Sequence, residues 1–208
     1  MKKLLLVVLL ACFIMSIPST VKGQHEKGKM HFDLYHGLPP HTGLLFRTLV
    51  QEIEDGVDAE SKESSTIGNI GFRFQYYIIP TFAMGIDANY TKRDLVVSYL
   101  DLGSNAIYTD QLQQTVTRVM VRTSWEFLEK NGFQVNWANS IGYRSAIWSA
   151  SSTNPAYVTP SQTARGVIPL AFRTALGMRY MFTDNIGVNL EIGVGGGALA
   201  NGGLTIAL

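Results

Sequence analysis

The feature that most constrains this chain is a strict two-residue alternation, sustained over unusually long segments. From Ile168 to Phe182 the even positions read Ile168, Leu170, Phe172, Thr174, Leu176, Met178, Tyr180 and Phe182. The odd positions between them read Pro169, Ala171, Arg173, Ala175, Gly177, Arg179 and Met181. A β-strand sends successive side chains to opposite faces, so one face here is continuously apolar and the other small or charged. The same period recurs elsewhere. Ile70, Phe72, Phe74, Tyr76 and Ile78 oppose Gly71, Arg73, Gln75 and Tyr77, while Phe82, Met84, Ile86 and Tyr90 oppose Gly85, Asp87 and Asn89. Val119, Val121 and Trp125 oppose Arg118, Arg122 and Glu126, and Ile186 to Val194 oppose Gly187, Asn189, Glu191 and Gly193.

A soluble sandwich would turn the charged face outward. Three features predict the inverse, with the apolar face toward lipid. The segments exceed the usual soluble strand of about 5–6 residues and suit a tilted membrane strand of about 9–11. Aromatic residues bound the apolar faces as an interfacial girdle would: Phe82, Trp125, Phe127, Phe133, Tyr180 and Phe182. The connections alternate in length. Pro80-Thr81, Lys130-Asn131-Gly132 and Thr183-Asp184-Asn185 are tight turns, and residues 37–66, 99–112 and 149–165 are long loops. The strands fall at roughly 30–36, 67–79, 82–98, 113–127, 133–148, 166–182, 186–194 and 198–208. The last turn is placed at Gly195-Gly196-Gly197, with Asn201-Gly202 as the other site for it. Open edges cannot face hydrocarbon, so the expected fold is all-β: a closed antiparallel eight-stranded transmembrane β-barrel in an up-and-down meander. An even count puts both ends of the barrel on the side of the short turns.

Residues 1–23 read as a cleaved signal peptide. Lys2 and Lys3 precede an apolar run from Leu4 to Met15, too short to span a bilayer, and Val21-Lys22-Gly23 supplies an exit site. The barrel domain is then 24–208, in the cell outer membrane of a Gram-negative envelope. A rival reading takes Leu9-Leu10-Ala11-Cys12 as a lipoprotein box. Losing the leader removes Lys2, Lys3 and Lys22, so seventeen basic residues fall to fourteen against sixteen acidic ones. That balance excludes a nucleic-acid partner. The single cysteine, Cys12, goes with the leader, as suits an oxidising compartment.

On this pattern the chain resembles the small eight-stranded outer-membrane barrels of the OmpA-transmembrane-domain and OmpX type. Its ending, Leu204-Thr205-Ile206-Ala207-Leu208, is similar to the C-terminal insertion signal of such barrels, but closes on leucine where many close on an aromatic residue. A mature start at Gln24 resembles exported proteins of the Bacteroidota. The resemblance implies a porin-like or OmpA-like wall in outer-membrane lipid.

Parity assigns a lumen. It puts Arg73, Arg93, Arg118, Arg122, Arg144, Arg173 and Arg179 inside, with Asp33, Asp87, Glu126 and Glu191. Arginine and carboxylate pair bidentately, so the expected lumen is an ionic network that plugs the barrel. The three surplus positive charges are left to bound anions, polar groups or water. Pro169 cannot donate to a ladder, which predicts either a bulge near the outer rim or a lateral notch in the wall. Asn139 breaks the pattern between Trp137 and Ile141 on the lipid face, which predicts a bulge, a tolerated amide or contact with another outer-membrane protein.

Weaker signals were weighed for chemistry. His25, His31, His36 and His41 do not share one strand face, and no metal or cofactor is expected. His31 and Asp33 share a face, but no serine follows at the spacing of lipid-modifying barrels. Glu52, Glu54, Asp55, Asp58, Glu60 and Glu63 lack the spacing of a calcium loop and read as a solvated acidic loop. Leu45, Leu49, Val50 and Ile53 are spaced like one face of a short helix. The expected role is therefore non-enzymatic, structural or interactive, as an accessory subunit of a larger outer-membrane complex. A narrow conduit or carrier for small or hydrophobic solutes is the alternative, and a lipid-modifying enzyme a weaker one.

Overall fold

The computed structural model describes residues 27–37, 59–101, 106–155, 161–166 and 168–208. The leader, His25, His41 and the helix-like segment around Leu49 lie outside these residues. Among the described residues every element is a strand: β1 (Met30–Gly37), β2 (Ala59–Ile79), β3 (Phe82–Asp101), β4 (Ala106–Lys130), β5 (Phe133–Ser152), β6 (Ser161–Arg165), β7 (Leu170–Met181), β8 (Ile186–Gly195) and β9 (Ala200–Ala207).

All pairings are antiparallel, and each strand pairs with the next along the chain, β6 aside. The sheet closes where β1 meets β9, from His31 opposite Ala207 to Gly37 opposite Asn201. The ring therefore contains eight strands, with β6 paired to β5 above β7. Backbone hydrogen bonds from Met30 to Leu208 in both directions seal the seam at the turn side. Asn131 and Gly132 both have positive φ, 50° and 78°, the backbone that a tight hairpin turn matched to strand twist demands. The last turn uses Gly195, Gly196 and Gly197, all at positive φ, and Asn201-Gly202 lies inside β9.

The exposed faces carry the apolar residues. Phe82 to Tyr90 on β3, Val119 to Phe127 on β4 and Ile186 to Val194 on β8 each present alternate large side chains outward. Those lengths match a tilted membrane strand of about 9–11 residues. Phe82 meets Trp125 edge-on at 5.4 Å, and Tyr180 meets Phe182 at 5.3 Å, close to the tight turns. A closed ring with an apolar outer belt and a polar interior is the surface of a membrane-spanning barrel.

Three expectations are corrected. The strands reach further outward than the alternation suggests: β2 begins at Ala59, so residues 59–63 of the acidic 52–63 segment are strand rather than loop, and β4 runs from Ala106 to Lys130. The sixth strand is broken. Its ladder with β5 changes register by one residue, because Tyr143 pairs with Leu170 while Ile147 pairs with Arg165. Arg144 N–H donates to the Pro169 carbonyl (2.6 Å), in step with Tyr143–Leu170, and Gly166 N–H donates to the Ala146 carbonyl (2.8 Å), in step with Ile147–Arg165, so the register changes between Gly166 and Pro169 and not at the proline itself. Finally, strand six does not have two neighbours at that height. Its pairing with β8 stops at Arg173–Gly195. Pro169 thus has a neighbouring strand on one side alone, and its carbonyl is turned to that neighbour, β5.

Wall height is thus uneven. β2 to β6 form a tall sheet, and among the described residues nothing stands above β8, β9 and β1. A closed barrel of this kind resists SDS until heated. We expect a compact, fast-migrating band in unheated gels, a slower band after boiling, and a β-type circular dichroism spectrum; a helical spectrum of refolded protein would contradict the fold.

Candidate functional site

Burial of the inward face follows directly from parity. Asp33 comes from β1, Arg73 from β2, Asp87 from β3, Arg122 and Glu126 from β4, Arg173 and Arg179 from β7, and Glu191 from β8, all buried. Taking such charges out of water costs several kcal/mol each unless they are paired and hydrogen-bonded. Here each carboxylate is.

Glu191 is the hub. Its Oε1 accepts from Arg173 Nε at 2.6 Å and lies 3.3 Å from Arg73 Nη2, while Oε2 accepts from Arg122 Nη2. Asp33 accepts from Arg73 Nη1 (3.2 Å), Arg179 Nη2 (3.4 Å) and Thr205 Oγ1 (2.6 Å). Asp87 accepts from Arg73 Nε (3.3 Å) and Tyr35 Oη (2.5 Å), with Arg122 Nη1 at 3.8 Å. Glu126 accepts from Tyr77 Oη and lies 3.7 Å from Arg179 Nη1. Arg73 also stacks its guanidinium 4.7 Å over the Tyr35 ring. That ring lies over Gly71, where any Cβ would collide with it. The space left among Asp33, Arg122, Asn136 and Glu191 is about 10 Å³, the lower bound for one water.

The seven arginines do not form one network. Four of them share the four carboxylates. Arg93, Arg118 and Arg144 stand in a separate outer layer, where Arg93 Nη1 donates to Gln114 Oε1 (2.8 Å) and Arg118 Nη1 to Asn89 Oδ1 (3.1 Å). Period two fixes which face a residue occupies, and only the register across strands fixes its height, so this division was not legible in the sequence.

His31 points inward and packs edge-on against Tyr77 at 5.0 Å, whereas His36 is exposed on the outer face. Among the described residues no group of histidine, cysteine or acidic side chains is placed to hold a metal. Asp33, on the same face as His31, is engaged by two arginines and a threonine.

Asn139 lies on the lipid-facing wall, with no register shift there in either ladder. Its cross-strand neighbours are Thr123 on β4 and Thr174 on β7, so three polar residues stand abreast in an apolar belt. Trp137 Nε1 donates to Thr174 Oγ1 at 2.9 Å. A shallow groove of about 410 Å³ adjoins them, lined by Phe127, Trp137, Leu176 and Ile192. The two threonines were missed in the sequence because threonine suits any strand; their adjacency to Asn139 is set by register.

Sequence reasoning also missed a reversal of polarity above the outer arginines. On β3 and β4 the inward face turns apolar there, with Val97, Leu112 and Trp148 of β5 packed against Leu95. The opposite face carries Lys92, Asp94 and Gln113, joined by an ion pair (3.4 Å) and a hydrogen bond (2.6 Å). The signal was present as a switch of apolar parity between Tyr90 and Leu95.

Removing the hub should be costly, since three arginines would lose their shared counter-charge. Glu191→Ala is expected to lower stability by about 3–5 kcal/mol, read as an earlier midpoint in urea unfolding of the reconstituted barrel. An unchanged midpoint would mean the network contributes little.

No family model matches the sequence, and no curated protein matches it. Among solved structures the chain is similar to the N-terminal β-barrel domain of OprF from Pseudomonas aeruginosa, with 9% identity and a TM-score of 0.48 over 88% of this chain and 100% of that one. It is also similar to the outer membrane protein OprG from the same organism, with 10% identity and a TM-score of 0.43 over 90% of this chain and 99% of that one.

Proposed function

We propose that this chain is an integral outer-membrane barrel with a structural or interaction role, docking through its lipid-facing wall on a larger outer-membrane protein. The observation that carries this reading is the file Thr123–Asn139–Thr174 in the middle of the apolar belt. Hydrocarbon offers an amide no hydrogen-bond partner, and polar groups at that depth are costly unless a protein group meets them. A neighbouring membrane-spanning protein supplies such groups, and the adjoining groove gives its side chains a seat. The plugged lumen supports the same reading, since a conduit needs a continuous wet path and the ion-pair layer leaves room for about one water. The role so assigned is non-enzymatic.

Gentle-detergent purification with mass spectrometry tests the assignment. We expect an outer-membrane protein to co-purify with the wild-type barrel, and Asn139→Leu to release it while leaving heat-modifiable migration intact. Solitary purification together with steady single-channel currents in planar bilayers would favour the conduit instead.

A further inference from the structure

The outer layer of the lumen contains a charge arrangement that the interaction role does not use. Asn89, Arg118 and Arg144 are consecutive cross-strand partners on β3, β4 and β5. Directly opposed side chains have Cβ atoms about 4.5–5.5 Å apart, and like charges so placed repel. The guanidinium of Arg118 lies within reach of the positive charges of Arg144, Arg93 and Arg173. No carboxylate among the described residues is within ion-pair distance of Arg118 or Arg144. Among the described residues, Arg118 makes one side-chain hydrogen bond, to Asn89, and the buried Arg144 Nε–H meets no acceptor. Two guanidiniums held side by side with open donors match the fork of a carboxylate or phosphate.

Above this pair the inner face turns largely apolar. Val116 and Ala146 come first, beside Thr91; Trp148 follows, level with the Arg93–Gln114 pair, and Leu95 and Leu112 lie above them, at a height where β8, β9 and β1 have already ended. A polar inner face would be the ordinary choice for a surface in water at the mouth of a barrel. Positive charge below and hydrocarbon above describe one kind of ligand.

We propose that the outer half of the lumen binds an amphiphilic anion, its carboxylate or phosphate head between Arg118 and Arg144 and its alkyl tail along Val116, Ala146 and Trp148. The site lies on the inner face of the wall and is independent of the lateral docking surface on the outer face. Head and tail must act together, because an exposed head alone competes with water for the arginines, and a tail alone leaves their repulsion unrelieved.

The barrel, reconstituted in phosphatidylcholine nanodiscs, is titrated with sodium octanoate, octyl phosphate, 1-octanol and inorganic phosphate, with empty nanodiscs subtracted. Calorimetry reads binding, and Trp148 fluorescence in a Trp125→Phe/Trp137→Phe background reads its place. Octanoate or octyl phosphate is expected to bind at least about tenfold tighter than either octanol or phosphate, and their ratio tells which head is preferred. Arg144→Gln and Arg118→Gln should each weaken the anionic amphiphiles about tenfold or more and leave octanol unchanged. Val116→Ser should weaken octanoate and not phosphate. Because they relieve like-charge repulsion, both arginine variants should keep heat-modifiable folding with an equal or higher melting temperature. Equal affinity for octanoate and octanol, or octanoate binding untouched by both arginine variants, would overturn the site.

Discussion

Hydrocarbon offers a backbone amide nothing to bond to, so each strand in this wall must find both of its neighbours within the protein. That demand is met only because β1 reaches β9, and the seam from His31–Ala207 to Gly37–Asn201 turns a sheet into a ring. With the seam open, two ladder edges would face lipid, and the alternation of each strand would have no defined inside. Closure gives parity its meaning. It makes the greasy face an outer belt and encloses the charged face in a space that has to be filled.

What fills it follows from size. A ring of eight strands leaves an interior that side chains can occupy, and here they are arginines and carboxylates rather than aliphatics. Buried charge is tolerable only when each group is answered, and the layer from Asp33 to Glu191 answers four with four. Tyr35, Tyr77, Gln75 and Thr205 supply further hydrogen bonds. One arginine, Arg173, also donates to the carbonyls of Gly195 and Ala198, at 2.8 and 2.6 Å, which ties the glycine turn at the low rim to the same network. Lumen and wall are therefore coupled: the residues that plug the barrel also hold the β8–β9 turn in place.

The belt and the upper sheet obey opposite rules within the same strands. Along β3 and β4 the pairing continues without a register shift from Phe82–Trp125 to Asp101–Ala106. Polarity reverses along it all the same, apolar outward up to Tyr90 and apolar inward from Leu95. The lower part is solvated by lipid outside and charge inside. The upper part carries Lys92, Asp94 and Gln113 outward, with the exposed Leu100 and Ile107 further up. An unbroken ladder crossing two solvents explains both halves, and it is why the tall strands exceed the length of a membrane crossing.

The sequence by itself determined everything that depends on period two. It placed Asp33, Arg73, Asp87, Arg122 and Glu191 on one face and Asn139 on the other, set the Asn131-Gly132 hairpin, and required closure, because each of these follows from residues a few positions apart. It did not determine height. Whether an arginine meets a carboxylate depends on register across several strands and on the stagger of the closed ring, so the pairing of Arg73 with Asp33, Asp87 and Glu191 and the isolation of Arg118 opposite Arg144 emerged only in three dimensions. The same holds for Pro169, whose strand loses its second neighbour at that level because β8 turns at Gly195, and for the tall sheet, whose outer strands run through segments that read locally as loops. Alternation is a local property and survives in one dimension. Vertical alignment around a ring is a property of all eight strands at once, and only their closure decides it.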